Sequence, residues 1–477
     1  NGSPKVTNIF STAGAFAAVR EDGSVVTWGD DPIGGDSSGV ADHINADDSP
    51  KVAKIFSTVY AFAALRNDGS VVTWGREFGG GDSSRVNNLI NSENTPVVTK
   101  IFSSNRAFAA LREDGSVVTW GSDRPGGDSS EVASKIDADN SPEVTQIFST
   151  IYAFAALRED GSVITWGTTD DRGRNLGSDI SGVASDIDGS GLSVLQISST
   201  TSAFAALRED GSVITWGKDG AGGNSSAVAD DIDTNGSPAV TKIFSTGYAF
   251  AAIREDGSVV TWGDDRYGGN SSPVASGISS DNSLEVTDIF STRFSFAALR
   301  EDGSVITWGK DSGGGDSSAV AEEIDADGSP KIENIVATIS GFAAIREDGS
   351  VISWGSDDQV ADINEAEELD ANGTPPIEKI FATGKAFAAL REDGSVITWG
   401  RNDLGGDSSR VKDELSSGVE TIASPFTLSN QTATKPSPVD NQSPAANDDT
   451  ATTTAGEAVT IDVLANDSDA DGDALSI

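Results

Sequence analysis

The chain has 477 residues, 36% of them hydrophobic, and a formal charge of −43. A polyanion of this size repels nucleic acid and anionic membrane surfaces, so neither is expected as a partner. With no Cys and a single His, disulfide frameworks, thiol chemistry and most nucleophile–base pairs also fall away.

The chain opens at Asn1 with no Met, as a processed product or an excerpt would. No signal-peptide pattern precedes the first strand-like run, Val6-Thr7-Asn8-Ile9-Phe10-Ser11. No apolar run approaches the roughly 20 residues of a membrane helix, so membrane insertion is not expected in this segment. From Val6 onward one pattern repeats. The nine tryptophans are Trp28, Trp74, Trp120, Trp166, Trp216, Trp262, Trp308, Trp354 and Trp399, spaced by 46, 46, 46, 50, 46, 46, 46 and 45 residues. A fixed period of this length marks a repeat array, which must be read before any element.

The sixth unit shows the plan. Ser237-Pro238 makes a turn, and an alternating strand runs to Thr246. The small-residue strand Ala249-Phe250-Ala251-Ala252-Ile253 follows. Asp256-Gly257 is a hairpin turn, because Gly accepts a positive φ at no steric cost. The β-branched strand Val259-Val260-Thr261-Trp262 comes next, then the loop Gly268-Gly269-Asn270-Ser271-Ser272. Val274 to Ile278 is a weaker fourth element; over five residues, periodicity does not separate a short strand from one helical turn. Both strand types are apolar on two faces, which one sheet cannot bury alone. Stacking each sheet on the next unit's sheet buries them. The expected fold class is all-β, a repeat protein of β-propeller type with nine units of about 46 residues over residues 1–424.

Two units depart from the plan. The fourth carries Gly173-Arg174-Asn175-Leu176-Gly177-Ser178-Asp179 in place of the glycine loop, and the eighth drops the loop glycines. Gly418-Val419-Glu420-Thr421-Ile422-Ala423-Ser424 repeats the first strand once more. Residues 425–446 are rich in Ser, Thr, Pro, Asn and Gln and read as a linker. Residues 447–477 hold one strand-like stretch and an acidic cluster, too little for a core of their own.

Chemistry-bearing patterns are few. His43 lies in an expected loop with no partner for base catalysis, and no enzymatic function is expected. Asp467, Asp469, Asp471 and Asp473 alternate around Gly472, the start of a calcium-type loop, so calcium is the cofactor the sequence points to. Asp137-Ala138-Asp139-Asn140 and Asp325-Ala326-Asp327-Gly328 are weaker versions, adequately explained as turns. The Gly-Gly-Asp-Ser-Ser loops could cradle an anion, but turn chemistry fits their acidic surroundings better. The tryptophans read as core.

The unit Ala-Phe-Ala-Ala-Leu-Arg-Glu-Asp-Gly-Ser-Val-Val-Thr-Trp-Gly resembles the repeat of the regulator of chromosome condensation family over about residues 1–415. The resemblance implies propeller blades, and with them a closed ring in which unit one lies beside unit nine. An open array, with unit one's face exposed and the spare strand covering unit nine, is the alternative. Two departures stand out: a count of nine units rather than seven, and Gly-Gly-Asp-Ser-Ser where the family has Gly-Gln-Leu-Gly. The tail, through Leu464-Ala465-Asn466-Asp467-Ser468-Asp469, resembles the opening of a bacterial cadherin-like, immunoglobulin-type module of large surface proteins. Together these imply a non-catalytic extracellular scaffold or adhesion segment with a protein or cell-surface partner. Rival readings are a filament subunit that self-associates by stacked repeats, and a secreted inhibitory or binding propeller. The last would present exposed aromatics on one loop face, for which Phe78, Tyr152, Tyr248, Tyr267 and Phe294 are the candidates.

Overall fold

A computed structural model describes residues 4–417, apart from 46–49, 92–94, 138–140, 169–174, 235, 280–283, 326–328, 357–374, 403–404 and 412–414. The chain divides into two compact units, Asn1–Thr432 and Ala433–Ile477. The second lies outside the described residues, and with it Asp467, Asp469, Asp471 and Asp473.

The first is an all-β repeat of β-propeller type. It holds nine antiparallel sheets of three strands, each sheet in the chain order of its strands. In unit six the strands are Val240–Ser245, Ala249–Arg254 and Val259–Gly263. The turn between the second and third is closed by the Gly257 N–H on the Arg254 carbonyl at 3.0 Å. Gly257 sits at φ 72°, a conformation that strains any residue with a Cβ. The first strand does not alternate simply as its sequence implies. Its register shifts between Val240 and Lys242, and the Thr241 hydroxyl donates to the Ile253 carbonyl at 3.1 Å. This bulge lets Val240 and Ile243 both be buried. The fourth element is helical: Ser272–Val274 and Ala275–Ile278 form successive short turns. Ile278 is their one buried residue in the second turn and joins the core.

The core lies between sheets. Ala249, Ala251, Ile253 and Val259 of unit six pack against Val286, Ile289, Phe296 and Trp308 of unit seven. Within each unit the Phe and Trp rings stack, with centroids 5.3 Å apart for Phe250 and Trp262. The small Ala side chains are what allow the next unit's rings to approach.

The glycine loop locks this contact. Gly222 sits at φ 94°, and a Cβ there would lie 2.5 Å from the Phe250 ring of the next unit. Its carbonyl accepts the Trp262 indole N–H at 3.1 Å. The same bond joins Trp74 to Gly34, Trp120 to Gly80, Trp166 to Gly126, Trp308 to Gly268 and Trp354 to Gly314. In unit four the divergent loop still supplies it: Gly177, at φ 113°, accepts from Trp216 at 3.1 Å. The loop residues are spent on structure. The Thr73 hydroxyl donates to Ser83 Oγ at 3.0 Å, and Asp82 Oδ1 accepts the Ser84 N–H at 2.8 Å.

That last contact has a pH signature. The N–H of the serine two residues on, and then its hydroxyl, hold Asp36, Asp82, Asp128 and Asp316 below the usual carboxylate range. A carboxylate depressed in the folded state contributes stability above its unfolded pKa of about 3.9 and loses it as pH falls through the lower folded value. Units five and six carry a built-in control: Asn224 and Asn270 make the same bond, to Ser226 and Ser272 at 3.0 Å, without a titrating group. As pH falls below the ordinary carboxylate value of about 3.9 and through the lower folded values of Asp82 and Asp316, amide exchange should show Ser84 and Ser318 losing protection while Ser226 and Ser272 keep theirs. Equal loss at all four would remove the carboxylate from the account.

A further column runs through the turns between first and second strands. Val59 N–H donates to Asn105 O at 3.2 Å, Thr201 to Gly247 O at 3.0 Å, Gly247 to Arg293 O at 2.9 Å, and Arg293 to Ile339 O at 3.0 Å. Serine hydroxyls reinforce it, Ser199 to Ser149 O, Ser245 to Ser199 O and Ser291 to Ser245 O, each at 2.8 Å.

Unit one corrects the closed ring. Phe62 and Trp74 of unit two are 0% and 4% exposed, whereas Phe16 and Trp28, in the same places, are 39% and 43% exposed. A ring would cover this face with unit nine. Instead the array is open at its first unit, although Phe16 and Trp28 still stack at 5.2 Å.

Candidate binding edge

Three positions of each unit meet at one end of the sheet. They are the residue just before the second strand, the residue just after the third, and the short helical turn that follows. Antiparallel pairing brings them together: Ala61 pairs with Gly75, and the Arg76 N–H donates to the Tyr60 carbonyl at 3.0 Å. The hydrogen-bonded turn column lies directly beneath, since Val59 precedes Tyr60.

Aromatic and cationic residues gather there in two clusters. In units two and three, the Tyr60 and Phe78 rings lie 5.9 Å apart. The Arg76 guanidinium stands 5.0 Å from the Phe78 centroid, and that of Arg106 stands 5.2 Å from Tyr60. In units six and seven, Tyr248 and Tyr267 are 4.8 Å apart, and Tyr267 and Phe294 5.5 Å. Arg266 lies 5.2 Å from Tyr267, Arg293 5.8 Å from Phe294 and Lys310 5.1 Å from Phe294. Each ring–cation contact is worth about 0.5–1 kcal/mol at an exposed site. The Thr246 hydroxyl holds the Tyr267 carbonyl at 3.0 Å, and Asp264 grips Arg266 at 2.7 Å. The rings are thus set on a hydrogen-bonded base rather than on free loops. Tyr152 occupies the matching position of unit four and is exposed.

All five aromatics singled out in the sequence therefore lie on one edge, in two groups with Tyr152 between them along the chain. The cations were missed. Their signal is positional: Arg76 and Lys310 follow the third strand, and Arg106 and Arg293 sit at or next to the place that Tyr60 and Tyr248 fill in neighbouring units. A groove of about 830 Å³, lined by Phe78, Arg85, Leu89, Arg112 and Asp128 among others, opens beside the first cluster.

The remaining candidates are placed as follows. His43 lies in the helical turn Ala41–Ile44, not a loop, and its side chain is exposed. Trp74 through Trp399 are buried, as core residues; Trp28 is the exception. Among the described residues no group of three or more His, Asp or Glu is placed to hold a metal, and no helix is long and apolar enough to cross a membrane.

Residues 441–477 match the family described as Bacterial Ig domain. The structure is similar to Prp20p of Saccharomyces cerevisiae, the yeast RCC1, at 20% identity over 55% of this chain and 72% of that one, with a TM-score of 0.34. Two plant receptor-kinase ectodomains are also similar. The Physcomitrella patens CR4 ectodomain matches at 16% identity over 63% of this chain and 72% of that one, TM-score 0.33. The Arabidopsis thaliana ACR4 ectodomain matches at 15% over 66% and 94%, TM-score 0.32. Prp20p is described with binding properties toward Gsp1p and histones. Among curated proteins none matches this chain in sequence.

Proposed function

We propose that the chain is a non-catalytic, extracellular scaffold or adhesion segment of a large bacterial surface protein. It binds a protein or cell-surface partner through the aromatic–cation edge. The observation that carries this reading is the grouping of Tyr60, Phe78, Arg76 and Arg106, and of Tyr248, Tyr267, Phe294 and Arg293, at one end of the sheets. Tyr and Arg are the residue types that dominate binding hot spots, because they supply area, hydrogen bonds and charge at low entropic cost. The match to a bacterial Ig domain supports a place among surface proteins.

Beads coated with the full chain should be retained by bacterial or animal cell layers. The double variant Phe78→Ser/Tyr267→Ser should be retained at least about tenfold less, the effect of losing one hot-spot contact. Both side chains are on the edge and outside the core, so thermal melts of the variant should match the parent. Equal retention of parent, variant and bare beads would remove the edge as a binding surface.

A further inference from the structure

Unit one carries a complete docking face with nothing on it. Phe16 and Trp28 keep the stacked geometry of the eight covered units, at 5.2 Å, yet stand 39% and 43% exposed. In seven units the indole N–H finds a glycine carbonyl on the preceding unit, always at 3.1–3.2 Å. Trp28 has no such acceptor among the described residues. An exposed, preformed apolar face of this kind calls for a specific partner, and the molecule itself shows which one eight times over.

We infer that the face of unit one is the docking site for a further repeat unit of this same type, lying on its N-terminal side. In every interface within the array, the covering unit is the N-terminal neighbour. It presents its Ala strand to the rings and, in seven of the eight, a left-handed glycine to the indole. Asn1-Gly2-Ser3-Pro4 has the same sequence as Asn235-Gly236-Ser237-Pro238, which joins unit five to unit six, so a unit can be attached there through a connector the molecule already uses. The other end offers a reason against a second copy as the occupant. Val419-Glu420-Thr421-Ile422-Ala423-Ser424 repeats the first-strand pattern after unit nine, and so carries the sequence of a unit that would follow it. The inference is independent of the binding edge, which lies at the turn end of the sheets rather than on their faces.

The test appends residues 193–234, with Trp216→Phe in the appended copy, directly before Asn1 of the full chain, which recreates the unit-five connector. Acrylamide quenching of tryptophan emission reports the face, and Trp28→Phe identifies the signal of Trp28. In the unmodified chain Trp28 should be quenchable, and sedimentation should give a monomer. In the extended chain that quenchable component should vanish, and the amides of Ala17 to Val19 should gain protection from exchange. The same extension with Gly222→Ala in the appended copy should fail to shield Trp28, because the added Cβ collides with the ring of Phe16. Continued quenching of Trp28 in the extended chain would overturn the inference. So would a Trp28 already shielded in the unmodified chain, as a monomer through unit nine or as a dimer through a second copy.

Discussion

Gly257→Val will open its hairpin and loosen unit seven from unit six, whereas Asp256→Ala will cost less. Gly257 sits at φ 72°, and a Cβ there would lie 2.5 Å from the Glu285 Cβ of the next unit. Its carbonyl accepts the Val286 N–H at 3.0 Å, the bond that starts unit seven's first strand. Backbone strain of about 1–3 kcal/mol adds to an overpacking cost of about 1–3 kcal/mol. Half-buried Asp256 accepts the Ser258 N–H at 3.1 Å and also the Ser258 hydroxyl, bonds worth about 1 kcal/mol each. Amide exchange should show Val259 and Val286 deprotected in Gly257→Val, with units two and three unchanged, since repeat units depend on their neighbours alone. Equal effects of the two substitutions would contradict the turn geometry.

Trp262→Phe will destabilise its interface by about 1–3 kcal/mol, the cost of stranding the buried Gly222 carbonyl. Trp262→Ala will cost about 3–5 kcal/mol, because the stack on Phe250 goes as well. Trp399 is the internal control. The eighth unit lacks the loop glycines, and the buried Trp399 indole N–H has no hydrogen-bond partner among the described residues. Trp399→Phe deletes an unsatisfied donor instead of a bond, so its cost should be well under that of Trp262→Phe. Denaturant melts of the two single variants, with exchange at Phe250 and Phe387 to localise the effect, decide it. Equal costs would mean that the indole–glycine bond is not what joins the units.

The parts of this fold that were legible in the sequence are local or repeated. Asp256-Gly257 specifies its hairpin within four residues, and Val259 to Trp262 identifies a buried strand by side-chain type. The role of the glycine loop was not legible, because Gly34 meets its indole partner 40 residues away. Gly177 was hidden for the same reason: the sequence around it differs, while its φ and its partner do not. The bulge at Thr241 was masked by a run that alternates well enough on paper. At the edge, the aromatics drew notice by type. Arg76, Arg106 and Arg293 did not, since only their places relative to the strands mark them, and Arg106 and Arg293 also meet rings of the preceding unit. The ring was the resemblance's expectation. A closed array and an open one share every residue of the interface and differ only in a small rotation per unit, which no single side chain encodes.

The backbone column beneath the edge has a mechanical meaning. Seven of the eight steps between turns carry one main-chain bond among the described residues, and several carry a serine hydroxyl as well. A load applied along the array therefore passes through these contacts as links in series, each carrying the full tension. Such a chain gives way at its weakest link and one unit at a time, lengthening stepwise instead of breaking outright.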